Sequence, residues 1–119
     1  MIKEPKIFIE HILESIKNIE SFSKGISKDK FTKDRKTQSA VVRELEIIGE
    51  ATKNLTLDFV DKYPNVEWKK IAGLRDKLIH HYFGVRLDRI WKVIQKDIPK
   101  LKKDINEILN KKNEKIKIK

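Results

Sequence analysis

At 119 residues, with 28 Lys and Arg against 18 Asp and Glu, the chain carries a formal charge of +10 and contains no cysteine. That length suits one domain with a core of its own, and the missing thiol excludes cysteine nucleophiles, cysteine zinc sites and disulfide staples. No apolar run approaches the ~20 residues of a membrane span and the N-terminus MIKEPKIF lacks a signal-peptide core, so a cytoplasmic protein away from membranes is expected.

The first element is helical. Phe8, Ile9, Ile12, Leu13, Ile16 and Ile19 recur at the three-and-four spacing of an amphipathic helix. Pro5 suits its first turn and Gly25 lies just past its end, which predicts a helix over 5–24. The polar SKGISKDK that follows reads as a loop. A second helix is expected to start near Thr32 or Asp34, both acceptable N-caps, with Val41, Leu45, Ile48, Ala51 and Leu55 on one face and an end near Asn54. Within it Glu44 and Glu46 read as surface acids. Glu50 reads either as a polar bond that fixes helix packing or as part of a cleft. Asn54-Leu55-Thr56 matches a glycosylation triplet, but with no secretion route it reads as chance.

A short helical turn through Leu57–Tyr63 is stopped by Pro64. A third long helix is expected from about Glu67, with Trp68, Ile71, Leu74 and Leu78 on its buried side, fading at Phe83-Gly84. Asp88 reads as the N-cap of the next helix, which carries Ile90, Trp91 and Ile94. Pro99 is expected to kink or break that helix, because proline lacks the amide that bonds four residues back. Trp68 and Trp91 read as packing residues rather than platforms for bases. The periodicity resumes with Leu101, Ile105, Ile108 and Leu109.

Eight lysines against three acids follow from Lys100 to the end, which places about half of the excess charge in the last 20 residues. Such a balance suits a polyanion binder, since each phosphate contact releases counterions, though lysine-rich genomes produce similar compositions. The expected organisation is one helical domain over 1–110 and a basic, frayed tail over 111–119. The fold class is all-α, a bundle of four to five helices.

The chemistry concentrates in RDKLIHHYFG, Arg75 to Gly84. With Leu74 set at zero on a helix, Leu78, Ile71 and Trp68 fall at about 40°, 60° and 120°, the buried stripe, and Tyr82 and Arg75 at about 80° and 100° fall inside it. A guanidinium there must be paired, border a cleft or meet another subunit. Asp76 and His80, four apart, share the polar side, where the carboxylate can accept the Nδ1 proton of His80 and leave Nε2 free for proton transfer. His81 instead has Lys77 four residues before it, and a like charge disfavours the imidazolium. Metal-free RNA cleavage needs a base for the 2′-hydroxyl, an acid for the leaving oxygen and a cation for the phosphorane, which histidine and arginine supply. A surface histidine pair beside a structural ion pair is the alternative. Arg75 and His80 lie about 140° apart on an unbroken helix, so one copy does not bring them together without help. A helix end near His80, the long arginine stem or a second subunit would each supply it.

Arg75, four residues, His80, one residue and Tyr82 resemble the R-x4-H-x-Y motif of the HepT-like toxins of the HEPN superfamily. The segments Ala40–Leu55, Val66–Trp91 and Asp97–Leu101 are similar to that family in the same order. The resemblance implies a HEPN bundle of antiparallel helices, paired as a two-fold homodimer with the motif in the cleft between protomers. It implies the toxin of a type VII toxin–antitoxin pair, a metal-independent endoribonuclease with RNA as substrate and a minimal nucleotidyltransferase as antitoxin. In that frame Arg75 stabilises phosphate charge, His80 is the acid and base, and Asp76 supports the histidine. Tyr82 takes the adenylyl group that silences the enzyme, while His81 and Glu50 border the cleft. No metal or cofactor is implied. The alternative within the family is a non-catalytic nucleotide- or RNA-binding partner of a nucleotidyltransferase.

Overall fold

The computed structural model describes the backbone of residues 4–80 and 87–117, and the side chains of 4–74 and 87–111. Among these the chain is all-α, and elongated, with extents of 51 × 29 × 25 Å. Helix α1 spans Pro5–Ser23, and Gly25, with a φ of 74°, takes the left-handed turn that follows it. Ile9, Ile12, Ile16 and Ile19 are all buried, as their spacing predicts.

The segment expected to be only a loop contains helix α2, Lys28–Lys33. Six residues are too few to display a helical period, which is why the sequence pattern passes over it. Two interactions hold it. The Ser27 hydroxyl caps it by accepting from the Lys30 amide at 3.1 Å, and Phe31 is driven into the core. Of the two candidate caps for the next helix, the structure uses Asp34. Its carboxylate accepts from the Thr37 amide and hydroxyl at 3.1 and 2.6 Å, bonds that hold it below the usual carboxylate range. Thr32 instead lies inside α2.

Helix α3, Arg35–Lys53, is the central element and packs most extensively against α1 and α5. Val41, Leu45, Ile48 and Ala51 form its buried face. Glu44, expected as an ordinary surface acid, is half-buried and accepts from the Asn18 amide of α1 at 3.0 Å. A short helix α4, Leu57–Asp61, leads through Pro64 to α5, Trp68–His80. The expected fading of α5 at Phe83-Gly84 lies outside the described residues.

Helix α6 spans Leu87–Lys92, so Asp88 sits in its first turn rather than at its cap, where a carboxylate still favours the positive end of the helix dipole. Pro99 neither ends nor isolates the helix that carries it. A π-helical turn, Val93–Asp97, joins α6 to α7, Ile98–Lys117, and Pro99 is the second residue of α7. The Ile98 amide donates to the Val93 carbonyl, five residues back. A proline supplies no amide and its ring crowds the carbonyl four residues earlier, and the wider π turn relieves that crowding while the backbone stays helical. Ile94, Ile98, Leu101, Ile105 and Ile108 carry the core along this arm. Residues 111–117 are helical in the backbone as the end of α7.

Both tryptophans serve packing, as expected: Trp68 is buried in the core and Trp91 lies half-buried against it. Trp68 contacts Phe59 edge-on and its indole N–H donates to the Tyr63 carbonyl at 3.0 Å. Trp91 lies 5.4 Å from Phe31, which places the α2 segment against α6.

Candidate active site

The motif begins on α5. That helix follows from its sequence, with Trp68 and Ile71 buried and Leu74 half-buried on one side and Lys69 and Lys70 exposed on the other. Two polar contacts help to seat it. Trp68 is tied to Tyr63 as described, and the Lys70 ammonium meets Asp97 of the π turn at 3.1 Å. The bond to Asp97 raises the Lys70 pKa above the usual lysine range. The pair is half-exposed, so it orients α5 against the α6–α7 arm more than it stabilises the fold.

The helical backbone runs unbroken from Trp68 to His80, which places Arg75, Asp76 and His80 on one element. On that continuous helix Asp76 and His80 keep the four-residue spacing of a shared face, and Arg75 stays about 140° from His80. The side chains of Arg75, Asp76 and His80, and the whole of His81 and Tyr82, lie outside the described residues. Glu50 is exposed on α3, which packs against α5. It faces a groove of about 390 Å3 that it shares with His11 and Phe8 of α1.

Sequence reasoning passed over Gly73. It sits in the middle of α5, on the same side as Asp76 and His80 at spacings of three and seven. Glycine there costs about 1 kcal/mol of helix stability relative to alanine. A Cβ added at Gly73 would meet no described atom within 4 Å outside its own helix. Packing against the described residues therefore gives no reason for the glycine. Gly73→Ala is expected to raise the thermal midpoint of the isolated protein by several degrees, the equivalent of about 1 kcal/mol. An unchanged or lower midpoint would show that the methyl group meets a neighbour.

With this geometry in hand, comparison with known proteins is informative. The family model described as "Ribonuclease HepT-like" matches residues 12–108, most of the chain. The chain belongs to the HepT-like ribonuclease family. It is 50% identical over 107 residues to "Putative RNase MJ0127" of Methanocaldococcus jannaschii, covering 90% of this chain and 88% of that one. It is 51% identical over 110 residues to "Putative RNase TTE0752" of Caldanaerobacter subterraneus, covering 92% and 98%. "Probable ribonuclease HepT" of Thermococcus cleftensis is 48% identical over 102 residues, 86% of this chain and 93% of its own. No solved structure matches. The HepT-like match takes in α5 and the whole Arg75–Tyr82 segment, so the resemblance carried by the motif and three segments extends over nearly all of the core of the bundle. Among the described residues no helix is long and apolar enough to cross a membrane.

Proposed function

We propose that this HepT-like protein is an endoribonuclease that cleaves RNA without a metal ion and acts as the toxin of a toxin–antitoxin pair. The observation that supports the reading is the unbroken helix α5, whose backbone carries Arg75, Asp76 and His80, within a chain that belongs to a ribonuclease family. His80 takes the proton of the attacking 2′-hydroxyl and a second histidine, from the same site, returns one to the leaving oxygen. Arg75 meets the charge that builds on the phosphorane, where a planar guanidinium can bind two oxygens at once. Asp76, one turn before His80, holds the imidazole in one tautomer.

The separation of Arg75 from His80 on one helix favours a two-fold homodimer, because two copies of α5 facing each other supply one site with both groups. Such a dimer also supplies the second histidine. Tyr82, two residues beyond His80, is the acceptor for an adenylyl group from a minimal nucleotidyltransferase: the phenol oxygen attacks the α-phosphorus of ATP and pyrophosphate leaves. The added bulk and negative charge then close the cleft to RNA.

The purified protein is expected to cut single-stranded RNA in the presence of EDTA. Intact RNA under those conditions, with cutting restored by a divalent cation, would overturn the metal-free mechanism. Incubation with the partner nucleotidyltransferase and ATP is expected to add the mass of one AMP per chain and to abolish cutting. The Tyr82→Phe protein should stay unmodified, and a mass gain in that variant would remove Tyr82 from the scheme.

A further inference from the structure

Away from the motif, two guanidinium groups converge on one cleft. Helix α3 and the first turns of α6 enclose about 300 Å3, with Arg35, Ser39 and Arg43 along one edge. These three residues are four apart, so they line one side of α3 at intervals of about 6 Å. Val42, Leu87 and Ile90 form an apolar wall. Gln38 also borders the cleft, but its amide is committed to the Phe31 carbonyl at 2.8 Å.

Stability of the fold does not account for these cations. Arg35 and Lys36 occupy the first turn of α3, which contains no acid, and a positive charge there opposes the helix dipole. Arg35 is exposed. Arg43 reaches Glu46 only at 3.7 Å, with the arginine side chain 71% exposed, an ion pair too weak and too wet to hold the guanidinium against a better anion. The α3 terminus is already capped by the Asp34 carboxylate, so it is the two guanidinium groups that favour an anion in the cleft. Leu87 follows His80 by seven residues, so chain connectivity allows their Cα atoms to lie at most about 25 Å apart.

We propose that this cleft holds the phosphate backbone of the RNA substrate, with Arg35 and Arg43 as phosphate contacts and the Ser39 hydroxyl as a further donor. The proposal rests on the ribonuclease reading and adds to it the place where the strand is held while α5 cuts. RNA fits better than an acidic protein segment because the donors repeat at a regular interval along a helix, as charges do along a nucleic-acid backbone. Among the described residues no lining side chain is aromatic, and the donors are of the kind that hold backbone rather than read base edges. Glu46, at the same edge, works against the phosphate, and this gives the proposal a prediction of opposite sign.

The test uses the full chain and a fluorescent single-stranded RNA whose 2′-oxygens are methylated, so that it binds without being cut. Arg35→Ala and Arg43→Ala are each expected to weaken binding about threefold, and the double variant about tenfold. The dependence of log Kd on log salt should flatten by about 0.7 for each arginine removed, since one fewer phosphate is then neutralised. Glu46→Gln is expected to tighten binding. Lys17→Ala, at an exposed cation of α1 outside the cleft, should change neither quantity. Thermal melting and molecular mass in solution are read for every variant. Wild-type affinity and salt slope in the double variant would overturn the proposal. So would equal weakening by Lys17→Ala, which would reduce the effect to net charge, or a change of oligomeric mass that accounts for the weaker binding. A wild-type protein that binds this RNA in the cleft but leaves unmethylated RNA intact would overturn the ribonuclease reading and leave the cleft standing. A double variant that cuts with unchanged KM would do the reverse.

Discussion

Alanine in place of His80 is expected to lower the rate of RNA cleavage by about 10²–10⁴-fold, the range that removal of a positioned proton-transfer group produces. The physical basis is local. His80 lies four residues after Asp76 on a continuous helix, a spacing that puts the two positions on one face a turn apart. A carboxylate in that position fixes which ring nitrogen keeps its proton, and it favours the imidazolium formed when the base takes one up. Asp76→Asn should therefore reduce cleavage less than His80→Ala, because the histidine remains but its tautomer is no longer held. His81→Ala should leave cleavage near the wild-type rate. Arg75→Ala is expected to cost about 10²–10³-fold, the usual loss when one stabilising donor is removed from a developing anion. Arg75→Lys should recover only part of this, since an ammonium cannot bind two phosphate oxygens in the planar manner of a guanidinium. Cleavage assayed in EDTA measures all of these, with circular dichroism to show that each variant is folded. A His80→Ala protein that cuts at the wild-type rate would remove His80 from the mechanism, and equal losses at His80 and His81 would remove the distinction between them.

The largest effect on stability is expected at the centre of α3. Leu45 is completely buried, on the helix that packs against both α1 and α5. Leu45→Ala removes three buried carbons and leaves a cavity between elements that cannot collapse independently, for a loss of about 2–5 kcal/mol. In a chain of this length that lowers the thermal midpoint by about 10–15 °C. Denaturant unfolding gives the same quantity from the midpoint at constant slope. Leu57→Ala is the comparison, since Leu57 is 75% exposed and its substitution should change stability by less than about 0.5 kcal/mol. Similar losses at the two positions would mean that burial in the bundle does not set their contributions.

Much of this architecture could be read from spacing and caps. Helices α1 and α3 begin and end within a residue or two of where their apolar periodicity and their flanking Pro5, Gly25, Asp34 and Asn54 place them. Long amphipathic helices announce themselves because every turn repeats the same signal. The short α2 does not, and its existence depends on the burial of Phe31 beside Trp91, residues 60 positions apart in the chain. The π turn before Pro99 is likewise hidden. A proline states that an amide is missing, but whether the chain breaks, kinks or widens depends on what surrounds it. Here Ile94 and Ile98 are both held in the core, and a widened turn lets both remain there.

The candidate site divides in the same way. The shared face of positions 76 and 80, and the offset of position 75 from both, follow from the 100° turn per residue and needed only the sequence and a helix. The family, too, was legible in the order of three segments, because a set of spaced residues survives when most surface positions change. The sequence by itself therefore determined the all-α class, the buried face of each long helix and the helix that carries the motif. The tertiary structure decided what lies beside that helix. It seated α5 through Trp68 on Tyr63 and Lys70 on Asp97, gave Glu44 a partner in Asn18, and placed no described atom over Gly73. It also gathered Arg35 and Arg43 with Leu87 and Ile90 around one cleft. The reason is the range of the interactions: helix periodicity and caps act within four residues, whereas a cleft joins side chains some fifty residues apart that only the packed bundle brings together.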